Sequence, residues 1–223
     1  MTFNRRMFLL SAVTAAFSAR SWAEAGNPFG LPPGEAGQQN DLSNVIKPYL
    51  AVGPYEGDRH RVYMFLSYEC PYCEQTWYGL GQWGSTLPEP FRFVYVPVYT
   101  GNKRSDAAAT GYYVVRDLAP SRIGEYNRLA FDTARHAKTA DDYIGVLRRM
   151  GFNRDAVKAS LNKQQTRDRI ARAMMLARNY RITATPFFAV GGRYTTHAGF
   201  TNGNYQMLVQ LLNGLVSDVV QGK

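Results

Sequence analysis

The chain is poor in the side chains that build metal centres and disulfide frameworks. Its 223 residues include two cysteines and three histidines, His60, His136 and His197, which are widely separated. With no second C-x-x-C and no paired histidines, a tetrahedral zinc set is half complete. Two cysteines also exclude a disulfide-dense secreted scaffold, and a chain of about 200 residues buries a core without such staples. Long apolar runs are scarce as well. Met7 to Phe17 falls short of the roughly 20 residues that a membrane-spanning helix needs. Acidic residues are outnumbered, 17 against 26 Lys and Arg, for a formal net charge of +9.

The two cysteines that are present lie together, as Cys70-Pro71-Tyr72-Cys73. Before them, Arg61 to Tyr68 is apolar, aromatic and β-branched and reads as a buried strand. After them, Glu74 onward reads as a helix. A helix N-terminus carries unpaired N–H groups and a partial positive charge, which favour a thiolate over a thiol. Pro71 suits the first helical turn, where its missing N–H has no partner to lose. Residues i and i+3 share a face of the helix, so the two sulfurs are placed to close a small ring. Cys70 is then the outer, attacking sulfur and Cys73 the inner, resolving one. A plain staple is the weaker reading, because so short a loop removes little chain entropy. A soft-metal or chaperone-like site is the other alternative.

Met1 to about Ala23 reads as an export signal. Arg5 and Arg6 form a basic start, Met7–Phe17 an apolar centre, and Ser21-Trp22-Ala23 a small-x-small cleavage site. An uncleaved anchor is the alternative. The string Arg5-Arg6-Met7-Phe8-Leu9 resembles a twin-arginine signal. A Sec or a twin-arginine route ends in the same place, outside a bacterial cytoplasm, which predicts a periplasmic protein. Residues 24–57 are rich in Gly, Pro, Asn and Gln and read as an N-terminal arm. Within it, Val45 to Val52 holds a short edge strand, since Pro48 excludes a central one.

Gly79, Gly81 and Gly84 predict a short or kinked motif helix. Phe91 to Tyr99 is a second strand, returning through that helix as a parallel βαβ unit that ends at Pro97. Residues 102–181 carry no strand pattern. Helices are expected over Ser105–Leu118, Ser121–His136, Ala140–Met150, Arg154–Leu161 and Gln164–Tyr180, with Thr139, Ser160 or Asn162 as caps. This insert holds 17 Lys and Arg against 8 Asp and Glu, whereas residues 24–100 hold 4 against 8. A solvated cationic surface is the favoured reading. Nucleic acid is not expected as a partner, because exposed aromatic residues are not interleaved with the bases.

A second informative stretch follows. Thr185-Pro186 precedes an apolar strand, Phe187 to Val190. Gly191-Gly192 makes a tight turn, and Arg193 to His197 returns beside it. Asn204 to Val220 closes the chain as an amphipathic helix, with Met207, Leu208, Leu211, Leu212, Leu215, Val216 and Val219 on one stripe.

Strand, C-P-x-C, helix, strand, helical insert, Thr-Pro hairpin and terminal helix, in that order over about residues 58–220, resemble the DsbA family of exported thiol:disulfide oxidoreductases. The resemblance implies an α/β thioredoxin fold with an inserted all-helical domain. The thioredoxin-like part is 58–101 with 182–223, and the insertion domain is 102–181. It implies that Cys70 is the nucleophile and Cys73 its partner. Thr185-Pro186 would be a cis-proline loop whose main chain receives an extended substrate segment. The chemistry calls for no metal and no cofactor. The implied partners are cysteine-containing exported proteins and a membrane redox partner, a quinone-linked oxidase or a reductase. No dimerisation module is present, so a monomer is expected.

Two departures bear on direction. Tyr72 stands where strongly oxidising members carry His, and Met64 stands where many carry a buried acid. Glu69 adds a negative charge directly before Cys70, which opposes the thiolate. A less oxidising dithiol is therefore expected than in the strongest oxidases. A disulfide reductase or isomerase, a peptide-binding assembly chaperone and a copper-handling protein are the competing readings.

Overall fold

In the computed structural model the described residues are 47–222. The predicted signal and most of the predicted arm lie outside them. In chain order come strand β1 (Leu50–Ala51), strand β2 (Arg61–Leu66), helix α1 (Pro71–Gly84) and strand β3 (Arg92–Pro97). Helices α2 (Lys103–Leu118), α3 (Ile123–Ala134), α4 (Ala140–Arg149), α5 (Arg154–Asn162) and α6 (Gln164–Asn179) follow. Strands β4 (Phe187–Val190) and β5 (Tyr194–His197) and helix α7 (Tyr205–Val220) close the fold.

The strands form one mixed sheet in the order β1-β5-β4-β2-β3. Val62 to Leu66 are all buried, so β2 is covered on both faces, as its unbroken apolar run requires. It pairs in parallel with β3, Met64 opposite Tyr95, and antiparallel with β4, Met64 opposite Phe188. Helix α1 makes the crossover that a parallel pair needs. The hairpin β4–β5 turns at Gly191 and Gly192, both at positive φ, where L side chains are strained. Strand β1 pairs Leu50 with Thr195 at the sheet edge. The edge strand expected between Val45 and Val52 is thus present, as Leu50–Ala51.

Helix α1 departs from expectation by running unbroken for 14 residues. Its glycines answer to close neighbours rather than to a kink. A Cβ on Gly81 would collide with the Tyr95 hydroxyl, and one on Gly84 would collide with the Phe93 side chain. The helix is laid so closely on β3 that packing outweighs the roughly 1 kcal/mol propensity cost of each glycine.

The five helices α2–α6 occupy the connection between β3 and β4. Their bounds fall within a few residues of those predicted, but two of the three proposed caps do not hold. Asn102 caps α2 by accepting from the Arg104 and Ser105 N–H groups, and Asn153 caps α5 by accepting from Ala156. Asp142 accepts the Thr139 N–H at the start of α4, 2.8 Å away. Ser160 and Asn162 belong to α5 itself, and α6 begins after Lys163 with no side-chain cap. In α7 the predicted stripe is buried at Leu208, Leu212, Leu215, Val216 and Val219, but Met207 is 51% exposed and lies off it.

One buried carboxylate ties the helices to the sheet. Asp58, in the turn before β2, accepts from the Tyr63 hydroxyl at 2.6 Å, the Tyr180 hydroxyl at 2.8 Å and Arg172 Nη2 at 2.9 Å. Burial and the neighbouring carboxylate push the Tyr63 and Tyr180 hydroxyls up from the ordinary phenol range, so both stay protonated donors. No helix among the described residues is long and apolar enough to cross a membrane.

Candidate active site

The fold brings together the two informative stretches of the sequence. β4 runs antiparallel to β2 with Phe187 opposite Phe65, so the residues just before β4 lie beside the chain as it leaves β2. Thr185 and Pro186 are thereby set against Cys70, although 115 residues separate Thr185 from it. The Thr185–Pro186 peptide bond is cis, as are Gly53–Pro54 and Glu89–Pro90. Pro186 is buried beneath the site.

Cys70 is the N-cap of α1, with extended backbone at φ −94 and ψ 116, and Pro71 begins the helix. The Cys70 carbonyl accepts the Glu74 N–H at 3.1 Å, closing the first turn. Both thiols are free; Cys73 is fully buried and Cys70 is partly exposed. As a thiol, Cys70 donates to the Thr185 carbonyl oxygen at 3.1 Å.

The environment divides the two sulfurs sharply. Cys70 is pulled down to about 5, first by a hydrogen bond from the Cys73 thiol. The Thr185 side chain and the backbone N–H groups of Cys73 and Tyr72 pull the same way, and burial opposes them. Cys73 is pushed far up by burial and by the Cys70 charge beside it. One sulfur is therefore an accessible thiolate at neutral pH, and the other is a buried thiol that donates to it.

The remaining predicted residues take lesser positions. Tyr72 points outward, 55% exposed, and serves Cys70 through its backbone. Pro71 is exposed at the first helical position. Met64 is fully buried in the centre of β2, opposite Tyr95 and Phe188. Beside Cys70 lies a hollow of about 480 Å³, lined in part by Glu69, Tyr99, Thr100, Thr183 and Thr185.

The sequence expects the Glu69 charge to oppose the thiolate; the structure adds a counter-charge that the sequence reading did not include. The Glu69 carboxylate accepts from Arg104 Nε on α2, and Arg104 Nη1 also donates to the Ala137 carbonyl at 3.0 Å. Glu74, on the other side of the motif, accepts from Arg135 Nε at 2.9 Å. Both arginines come from the helical insert. The opposite charges of the insert and of residues 24–100 were the available signal, but charge totals do not say which residues meet.

A helix-initiating C-x-x-C set over a parallel β2–α1–β3 unit, with an antiparallel β4–β5 hairpin presenting a cis-proline, defines a thioredoxin-like protein. Here α2–α6 are let into the connection between β3 and β4. The profile of the DSBA-like thioredoxin domain matches residues 90–213, more than half of the chain. The chain belongs to that family, which is one of thiol:disulfide oxidoreductases. The matched stretch begins after the cysteine motif. Over 195 residues the chain is 24% identical to the thiol:disulfide interchange protein DsbA of Bordetella parapertussis, covering 87% of this chain and 91% of the relative. Its fold is similar to that of DsbA from Pseudomonas aeruginosa, with a TM-score of 0.67, 18% identity and coverage of 79% of this chain and 94% of that one. DsbA from Klebsiella pneumoniae gives a TM-score of 0.65 at 18% identity, with 78% and 95% covered.

Proposed function

We propose that the protein is a periplasmic thiol:disulfide interchange protein that transfers a Cys70–Cys73 disulfide to cysteine-containing exported proteins. The observation that carries this reading is the asymmetry of the two sulfurs. A stabilised Cys70 thiolate stabilises the reduced protein, which makes the disulfide form an oxidant. The basic and apolar run at Met1–Ala23 supports export.

The exchange proceeds in two steps. A client thiolate attacks the Cys70 sulfur of the oxidised protein; the Cys70–Cys73 bond breaks, and the Cys73 sulfur leaves and takes up a proton. A second client thiolate then attacks the client sulfur held on Cys70. The mixed disulfide breaks and Cys70 departs as a thiolate, a good leaving group because its pKa is low. The client loses two electrons and the protein gains them. Reoxidation falls to a membrane redox partner that accepts those electrons. The main chain at Thr185 and the hollow beside Cys70 receive the client as an extended segment, whose backbone bonds tolerate many sequences.

A reductase is the second reading, favoured by Tyr72, which adds no positive charge between the cysteines, and by an apolar Met64 six residues before Cys70 where the resemblance expects an acid. Equilibration with glutathione separates the two. An oxidase gives a potential well above the glutathione poise and oxidises a reduced, unfolded two-cysteine client stoichiometrically. A potential near the roughly −270 mV of thioredoxin would replace the oxidase with a reductase.

A further inference from the structure

Three ion pairs join the acidic first part of the chain to the basic insert: Asp58 with Arg172, Glu69 with Arg104, and Glu74 with Arg135. Two of the three acids bracket the dithiol, one directly before Cys70 and one directly after Cys73. Glu69 and Cys70 also line the same hollow, so the acid stands beside the space from which a client approaches. A bare carboxylate there raises the thiolate's energy and repels an incoming thiolate. Arg104 stands over it with a geometry suited to the task. Its Nε is on Glu69, and its Nη1 is anchored on the Ala137 carbonyl, which fixes the guanidinium from the far side. The Asn102 side chain caps the helix turn that carries Arg104, accepting its backbone N–H at 2.9 Å.

We infer that Arg104 is a positioning residue for the redox step: it holds and neutralises Glu69, so that the helical insert keeps the Cys70 thiolate free of an adjacent negative charge. Arg104 acts through Glu69 and not on the sulfur. The segregation of bases into the insert and acids around the motif is then an electrostatic arrangement of the site. The inference rests on the dithiol reading above and deepens it.

A double-mutant cycle tests it, with the Cys70 pKa read from thiolate absorbance in the reduced protein and the potential read against glutathione. Arg104→Gln leaves Glu69 uncompensated and is expected to raise the Cys70 pKa by about 0.5–1. Its potential falls by up to about 30 mV, the equivalent of a tenfold change for a two-electron couple. Glu69→Gln alone does not raise the pKa. The double variant returns to within about 0.3 of the starting protein's pKa, since neither charge remains. Arg104→Lys, which keeps the charge, stays close to the starting value and separates electrostatics from loss of the fold. An unchanged pKa in Arg104→Gln overturns the inference. So does a double variant as elevated as the single one, because Arg104 would then act directly on the sulfur or on loop geometry. An ordinary thiol pKa in the unmodified protein sinks the parent reading instead, and the two failures are told apart by that first measurement.

Discussion

The opposed shifts of the two thiols make the stability of the reduced protein depend on pH in a shape that the oxidised protein does not share. Cys70 has a folded pKa near 5, against about 8.5 in an unfolded chain. A depressed pKa contributes stability that is fully present above the unfolded value and is lost as pH falls through the folded one. Between those two values the unfolded chain binds one more proton than the native state, so stability rises with pH at about 1.4 kcal/mol per pH unit. Cys73 has the opposite shift, raised by burial and by its charged neighbour. Above about pH 8.5 the unfolded chain ionises both thiols while the native protein ionises only Cys70, and stability falls again. Relative to the oxidised form, the reduced protein should therefore show a stability maximum near the free-thiol pKa. The full Cys70 window amounts to about 5 kcal/mol as an upper bound, and solvent screening of a partly exposed sulfur reduces this to about 2–3 kcal/mol. The assay is urea unfolding of both redox forms, from below the Cys70 pKa to above that of a free thiol. Taking the difference cancels every other titrating group. Cys70→Ser, which has no disulfide form and is compared instead with the Cys70→Ser, Cys73→Ser protein, lacks the rising limb and keeps the falling one. A difference that is flat through the window, or that falls where it should rise, would refute the assignment of the thiolate to Cys70.

Two further perturbations probe separate parts of the molecule. Asp58→Ala leaves the buried Tyr63 and Tyr180 hydroxyls without their acceptor, while the more exposed Arg172 turns to water, and should cost about 2–4 kcal/mol. This reads as a lower urea midpoint at unchanged slope, and a loss under about 1 kcal/mol would mean that the cluster is not holding α6 to the sheet. Tyr72→His places an imidazole where only a backbone N–H now serves Cys70. The Cys70 pKa should fall, and the potential should rise by up to about 30 mV for each tenfold gain in thiol acidity. An unchanged pKa would show that the ring at this position is not sensed by the sulfur, and a rise would reverse the sign of the argument.

Much of the architecture was legible because it is written in local patterns. The run Phe187–Val190 closed by two glycines is bounded in the structure as in the sequence, and the parallel pair around α1 follows from two apolar strands with a helix between them. The misreadings share a cause. Gly79, Gly81 and Gly84 looked like helix breakers because propensity is local, while the Tyr205 and Tyr95 hydroxyls and the Phe93 ring that need the space come from other elements. Asp58 gave no signal at the edge of the arm, because Arg172 and Tyr180 lie 114 and 122 residues away. The counter-charge to Glu69 gave no signal because Arg104 is 35 residues distant. Short-range periodicity gives the elements, and side chains that meet across the fold decide what each charge does. Met207 shows the limit even within one helix: an apolar residue at the right spacing still lies off the buried face when the helix is rotated by its other contacts.

The joining of Cys70 to Thr185 across 115 residues has a consequence for how the protein comes into being. A chain made from its N-terminus presents the cysteine pair early, while the residues that complete its surroundings are still unmade. The amides of Tyr72 and Cys73 come with the first turn of the helix, but the Thr185 contact and the closing of β4 on β2 wait for nearly the whole sequence. Contacts of such long range form late. Until then the two thiols are those of an ordinary helix start, without their full acidity or leaving-group strength. The share of the acidity that Thr185 supplies arrives only with completion of the sheet, so a half-made molecule holds a weaker thiolate than the finished one.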